Sequence, residues 1–222
     1  MVVTTGKTLC DALRADSEPA WTAATTHRFT RELGAGTLDD DVFRRYLALD
    51  YEFVELLAGL VGHAIADAPT MAAKRRLSTF LASIVGPEND YFDRAFDALD
   101  VDPGQTPPDD SMAAVRAFED LFARAAASGG YAETLAVLLP VEWVYLTWAT
   151  DVERPPGPFY LGEWVDIHAT DDFEEFVSWL RGELDREGAT LSPRRQRRVR
   201  RLFALAVSLE VEFFDAAYGG AP

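Results

Sequence analysis

Across residues 39–68, "DDDVFRRYLALDYEFVELLAGLVGHAIADA", apolar side chains return at three- and four-residue intervals without interruption. That spacing puts them on one face of an α-helix, and no strand with its two-residue period can use it. Three aspartates open the segment, as suits an N-cap and first turn facing the positive end of a helix. The same periodicity predicts helices over 111–127, 131–150, 171–187 and 193–218. Residues 69–100 read as two helices broken near Gly86-Pro87. "VDPGQTPPDD" (101–110) and "ERPPGPF" (153–159) read as proline-rich loops. Alternating patterns never last more than a few residues, and no repeat is visible. The expectation is an all-α fold of seven or eight helices, packed as a multi-helix bundle with an internal ligand pocket.

A chain of 222 residues can bury a full core without disulfides, and one domain spanning 1–222 is expected. Cys10 is the only cysteine, so no intramolecular disulfide forms and a cytoplasmic location is expected. "MVVTTGKTLC" lacks the apolar segment of a signal peptide, and no apolar run approaches the roughly 20 residues of a membrane helix. The charge is lopsided, with 37 acidic against 21 basic residues and a formal net charge of −16. Such a surface repels nucleic acid phosphates. Lysine occurs only at Lys7 and Lys74, and arginine supplies the rest of the positive charge. That bias points to a halophilic adaptation, in which salt screens the self-repulsion of an acidic surface. The one basic stretch, "SPRRQRRVRR" (192–201), is read as a solvated helix face pairing with acidic neighbours.

One helix carries the main puzzle. "LLPVEWVYLTWA" (138–149) sets Glu142 among Leu138, Leu139, Val141, Trp143, Val144, Tyr145 and Trp148. An ionised carboxylate is costly in such surroundings, so Glu142 lies either on a polar edge or against a ligand pocket. Two other carboxylates share the situation: Asp50 between Tyr46, Leu47, Phe53 and Val54, and Glu210 between Ala206, Val207, Leu209, Phe213 and Phe214. Most of the aromatic residues are expected to be core. Three carboxylates from three helices, each beside a ring, make a candidate pocket.

Four stretches in order carry a family resemblance. "HRFTRELGAGTLDDDVFRRYLALDY" (27–51), preceded by Trp21, resembles the opening of the TenA proteins, also called thiaminase II or aminopyrimidine aminohydrolases. "GGYAETLAVLLPVEWVY" (129–145), "YLGEWVDIHATDDFEEFVSWLRGELD" (160–185) and "SLEVEFFDAAY" (208–218) are similar to its later segments. The resemblance implies a heme-oxygenase-like all-α fold and a role in thiamin salvage. The better-known branch carries Leu-Pro-Cys, its cysteine the presumed nucleophile, where this chain has Leu139-Pro140-Val141. The second branch carries Glu-x-x-Tyr, which Glu142 and Tyr145 match. The resemblance also makes Asp50 the substrate-binding aspartate and Glu210 the acid/base glutamate. Phe53 stands at a pocket tyrosine and His168 near another aromatic position.

The implied substrate is 4-amino-5-aminomethyl-2-methylpyrimidine or its N-formyl derivative, hydrolysed to the hydroxymethyl pyrimidine. A flat, weakly basic ring of this kind suits stacking on Phe53, Tyr145 or Phe213 and a two-point grip by Asp50. Glu210 would protonate the departing amine, and Glu142 with Tyr145 would activate water or position the substrate. No cofactor or metal is expected. The partners expected are a small pyrimidine and further copies of the chain, as a tetramer or dimer; no nucleic acid or membrane is expected. Two alternatives stay open. One is a pyrimidine-binding protein without turnover. The other is a heme or di-iron protein of the same fold, drawing on His27, His63, His168, Glu55 and the three carboxylates. The chain has no Glu-x-x-His pair to support the latter, and His63 is read as a core histidine.

Overall fold

In the computed structural model, which describes residues 8–102, 112–128 and 130–219, every regular element is helical. Three short helices lead: α1 (Leu9–Asp16), α2 (Ala20–Thr25) and α3 (Arg28–Gly34). The long α4 (Asp40–Asp67) and α5 (Met71–Ser83) follow, then a π-helical turn (Ile84–Glu88) that runs directly into α6 (Asn89–Leu99). The second half holds α7 (Ala113–Ser128), α8 (Tyr131–Asp151), α9 (Phe159–Ile167), α10 (Asp171–Gly188) and α11 (Pro193–Ala216).

Local chemistry sets these boundaries. Asp39 caps α4 by accepting from the Asp41 N–H, Thr70 caps α5 through Ala73, and Thr170 caps α10 through Phe173. Ser192 caps α11, with Pro193 at the first position where its missing N–H costs nothing. Gly36, at φ +66°, lies so close to the Pro156 carbonyl that a side chain there would collide with it. The turn before α4 and the proline loop before α9 are thereby held together.

The bundle is built around α8, which packs against α4, α7, α10 and α11. Its residues from Tyr131 through Tyr145 are all buried, including Glu133 and Glu142. Glu133 is satisfied by Arg195 of α11, whose Nε and Nη2 donate at 2.9 and 2.5 Å. Arg200 pairs with Asp16, so the basic stretch does meet acidic neighbours as expected. Trp21, Trp148, Trp164, Tyr46, Phe43, Phe203 and Phe214 fill the core. Each such side chain contributes about 1.5–3 kcal/mol on leaving water.

The structure departs from the expected elements in three places. α1, α2, α3 and α9 are too short to leave a lasting periodicity, so the helix count exceeds the seven or eight expected. The expected break at Gly86-Pro87 is instead a continuous π-turn: Pro87 lacks an N–H and crowds the preceding turn, and an extra residue in the turn relieves both problems. His63 is exposed on α4, because its position falls on the outer edge of the apolar stripe. Most of the loop expected at 101–110, residues 103–110, lies outside the described residues, as does residue 111 of the expected 111–127 helix. No helix among the described residues is long and apolar enough to cross a membrane.

Candidate active site

A cavity of about 740 Å³ opens between α4, α5, the π-turn, α8, α9 and α10. Its inner end is acidic and aromatic. Asp50 and Phe53 enter from α4, one helical turn apart and therefore on one face. Glu142 and Tyr145 enter from α8 with the same three-residue spacing, and Val141 stands beside them. Glu88 reaches in from the π-turn, Trp164 from α9, and His168 from the residue that ends α9. Arg75, Arg76, Thr79 and Asp172 lie toward the α5 and α10 side, where Arg76 stands 3.7 Å from Glu175.

Asp50, Glu142, Tyr145, Phe53 and His168, all expected at the site, therefore share one wall system. Glu210 and Phe213 do not line it. Phe213 sits behind Phe53, ring centroids 5.5 Å apart, and supports that ring without facing the cavity. Glu210 is buried behind the wall, close enough for its charge to bear on Tyr46 and Tyr145. Periodicity placed Glu210 correctly inside an apolar stripe but could not say which layer of the core it joins. Glu88 was missed altogether. A glutamate after Gly-Pro reads as a loop residue, and only the π-turn carries it inward.

The electrostatics follow from burial. Asp50 is pushed well above the usual carboxylate range, first by desolvation and then by the charge of Glu88. Glu142 rises for the same reason, with Glu88 and Asp50 adding to it. Glu210 rises through burial, then through Asp50 and Glu142. Among the described residues no Lys or Arg pairs with any of them, so burial favours the protonated, donating form of each. One oxygen of Glu142 and one of Glu210 have no hydrogen-bond partner in the protein. Glu88 is only half-buried, and desolvation pushes it to about 7.

The remaining polar groups are fixed. The Tyr145 and Tyr46 hydroxyls are 2.7 Å apart. His168 lies 2.9 Å through Nδ1 from the Trp164 carbonyl, which requires the proton on Nδ1 and leaves Nε2 as an acceptor. Burial lowers its pKa to about 4, so the ring is neutral. It is wedged between Tyr145 and Trp164, with centroids 4.8 and 4.6 Å away.

The other histidines serve elsewhere. His27 caps α3 and meets Asp215 at 3.2 Å. Glu55, like His63, is exposed on α4. Among the described residues no three His, Cys, Asp or Glu side chains are grouped to hold a metal ion. What the cavity offers is a space lined by aromatic rings, with carboxyls of raised pKa at its inner end. A weakly basic heteroaromatic fits both features.

Comparison with known proteins gives a consistent picture. The model of the TENA/THI-4/PQQC family matches residues 14–220. An aminopyrimidine aminohydrolase from Halalkalibacterium halodurans is 26% identical over 211 residues, covering 93% of this chain and 94% of that one. A Helicobacter pylori protein of the same name is 22% identical over 209 residues, 93% and 96% of the two chains. Among solved structures, a TenA homologue from Pyrococcus furiosus superposes with a TM-score of 0.85 at 19% identity, covering 95% of this chain and all of that one. A TenA homologue from P. horikoshii gives 0.81 at 24% identity, over 96% and 100%.

Proposed function

The chain belongs to the TENA/THI-4/PQQC family, and from that premise we propose that it is an aminopyrimidine aminohydrolase of thiamin salvage, of the glutamate type that lacks the active-site cysteine. The observation that carries this reading is the meeting of Asp50, Glu142 and Tyr145 on one cavity wall; Val141 lines the same wall, and the resemblance makes its position that of the nucleophilic cysteine. The substrate is 4-amino-5-aminomethyl-2-methylpyrimidine or its N-formyl derivative. The protein is a single domain, works in the cytoplasm as a homo-oligomer, and carries a salt-adapted surface.

The roles follow from the proton inventory. Asp50, protonated in the free cavity, meets the ring nitrogen and exocyclic amine of the pyrimidine. Passing its proton to the basic nitrogen creates an ion pair with two hydrogen bonds, stronger than a neutral contact. Phe53 and Tyr145 flank the ring, and Phe213 holds Phe53 in place. Glu142 brings a protonated carboxyl with a free oxygen to the wall and positions the substrate. His168 offers an acceptor at Nε2. Glu210 stores a proton beside Tyr145, and we assign it the supply of that proton, by way of the Tyr145 hydroxyl, to the departing amine.

Ammonia release from the aminopyrimidine, and formate release from the N-formyl compound, test this reading. The wild-type protein is expected to turn over at least one of them. Glu210→Gln is expected to keep binding and lose roughly 100-fold or more in turnover, the usual range for a general acid. Asp50→Asn is expected to weaken binding, because its amide presents a donor where the substrate's amine also donates. Binding without release of either product would replace the hydrolase with a pyrimidine-binding protein.

A further inference from the structure

We infer that Glu88 is the general base of this site, taking the proton from the water that replaces the departing amine; the inference rests on the aminohydrolase reading above. Its first support is geometric. The π-turn Ile84–Glu88 inserts one extra residue into the α5–α6 rod, and the register change turns Glu88 toward the cavity, next to Pro87 on the lining. After burial, its charge is the largest influence on both Asp50 and Glu142, so it faces the same inner end that they do.

The second support is the division of labour. A general base has to be ionised when water attacks, and burial favours the protonated form of Asp50, Glu142 and Glu210. Glu88 is half-buried and titrates near 7, where a base is most effective. Of the other ionisable groups lining the cavity, Asp172 is exposed on the α10 side, away from the inner end, and the rest do not replace Glu88. His168 is neutral but buried, with one nitrogen committed to the Trp164 carbonyl. Glu163 is bound by Arg94. Tyr145 and, beside the π-turn, Tyr91 are held protonated by burial. Arg75 and Arg76, from α5, are cations.

The step balances. The C–N bond to the exocyclic methylene breaks, and its electron pair leaves on nitrogen with the proton supplied through Tyr145. A water oxygen bonds to the methylene and gives a proton to the Glu88 carboxylate. The products are the hydroxymethyl pyrimidine and ammonia. Glu88 then returns its proton to solvent, which its partial exposure permits.

The test is the pH profile of kcat/KM for ammonia release, with binding of the hydroxymethyl pyrimidine measured by calorimetry. In the wild type, kcat/KM is expected to rise through about pH 7 to a plateau, as the base ionises. Glu88→Gln is expected to lose this limb and roughly 100-fold in turnover, with product affinity changed less than about threefold. Glu88→Asp is expected to restore the limb and part of the rate. Wild-type turnover with an unaltered rate and profile in Glu88→Gln would overturn the assignment alone. A wild-type protein that releases no ammonia at any pH would overturn the aminohydrolase reading and this assignment with it.

Discussion

A carboxyl carried into an apolar interior is tolerated while it keeps its proton, and Glu142 and Glu210 are both in this position, each with one oxygen lacking a protein partner. Their raised folded-state pKa values have a signed consequence for stability. The folded state binds these protons more tightly than the unfolded chain, so the stabilisation is complete below the ordinary carboxylate range. It is lost progressively as pH rises from there toward the folded-state values. Glu210→Gln removes the titration without changing the shape. The difference in melting temperature, variant minus wild type, is therefore expected to be more positive at pH 8 than at pH 4, by about 2–4 °C for each kcal/mol involved. Thermal melts across that range check this, and a difference independent of pH would contradict it. The same physics made these residues legible in the sequence: a charge inside a helical apolar stripe is visible from spacing alone. Which layer of the core each one joins was not legible. Glu210 and Glu142 look alike in sequence, yet only Glu142 reaches the cavity.

At the level of the element, α8 shows how a helix buried along most of its length can carry two buried acids. Glu142 is accommodated as a neutral acid, whereas Glu133 keeps a bidentate arginine partner reaching across from α11. Arg195→Ala would leave that fully buried carboxylate unpaired. A loss of about 3 kcal/mol is expected, read from denaturant unfolding, whereas Arg194→Ala on the exposed face of the same helix should change stability by less than about 0.5 kcal/mol. Equal effects of the two would contradict the pairing. The long helices α4, α8, α10 and α11 were readable because amphipathic or apolar runs of this length have one interpretation. The π-turn was not, because Gly86-Pro87 is an ordinary helix-stop signal. The π-turn joins α5 to α6 and packs against α4, which keeps the rod continuous and turns Glu88 inward.

For the whole molecule, the formal charge of −16 is the dominant surface property. Self-repulsion among exposed aspartates and glutamates weakens as added salt shortens the screening length to about 3 Å at 1 M. The unfolding midpoint is expected to rise with KCl into the molar range, and a flat or falling midpoint would argue against a salt-adapted surface. The proposed function, by contrast, rests on the cavity where α4, α8, α9 and the π-turn converge. If its acidic, ring-walled end is the pyrimidine site, a crystal structure with the hydroxymethyl pyrimidine bound will show the ligand there. The ring is expected between Phe53 and Tyr145, its aminopyrimidine edge on Asp50, and its exocyclic methylene turned toward Glu142 and Glu88. A ring bound outside this cavity, or inside it with Asp50 making no contact, would rule out this site.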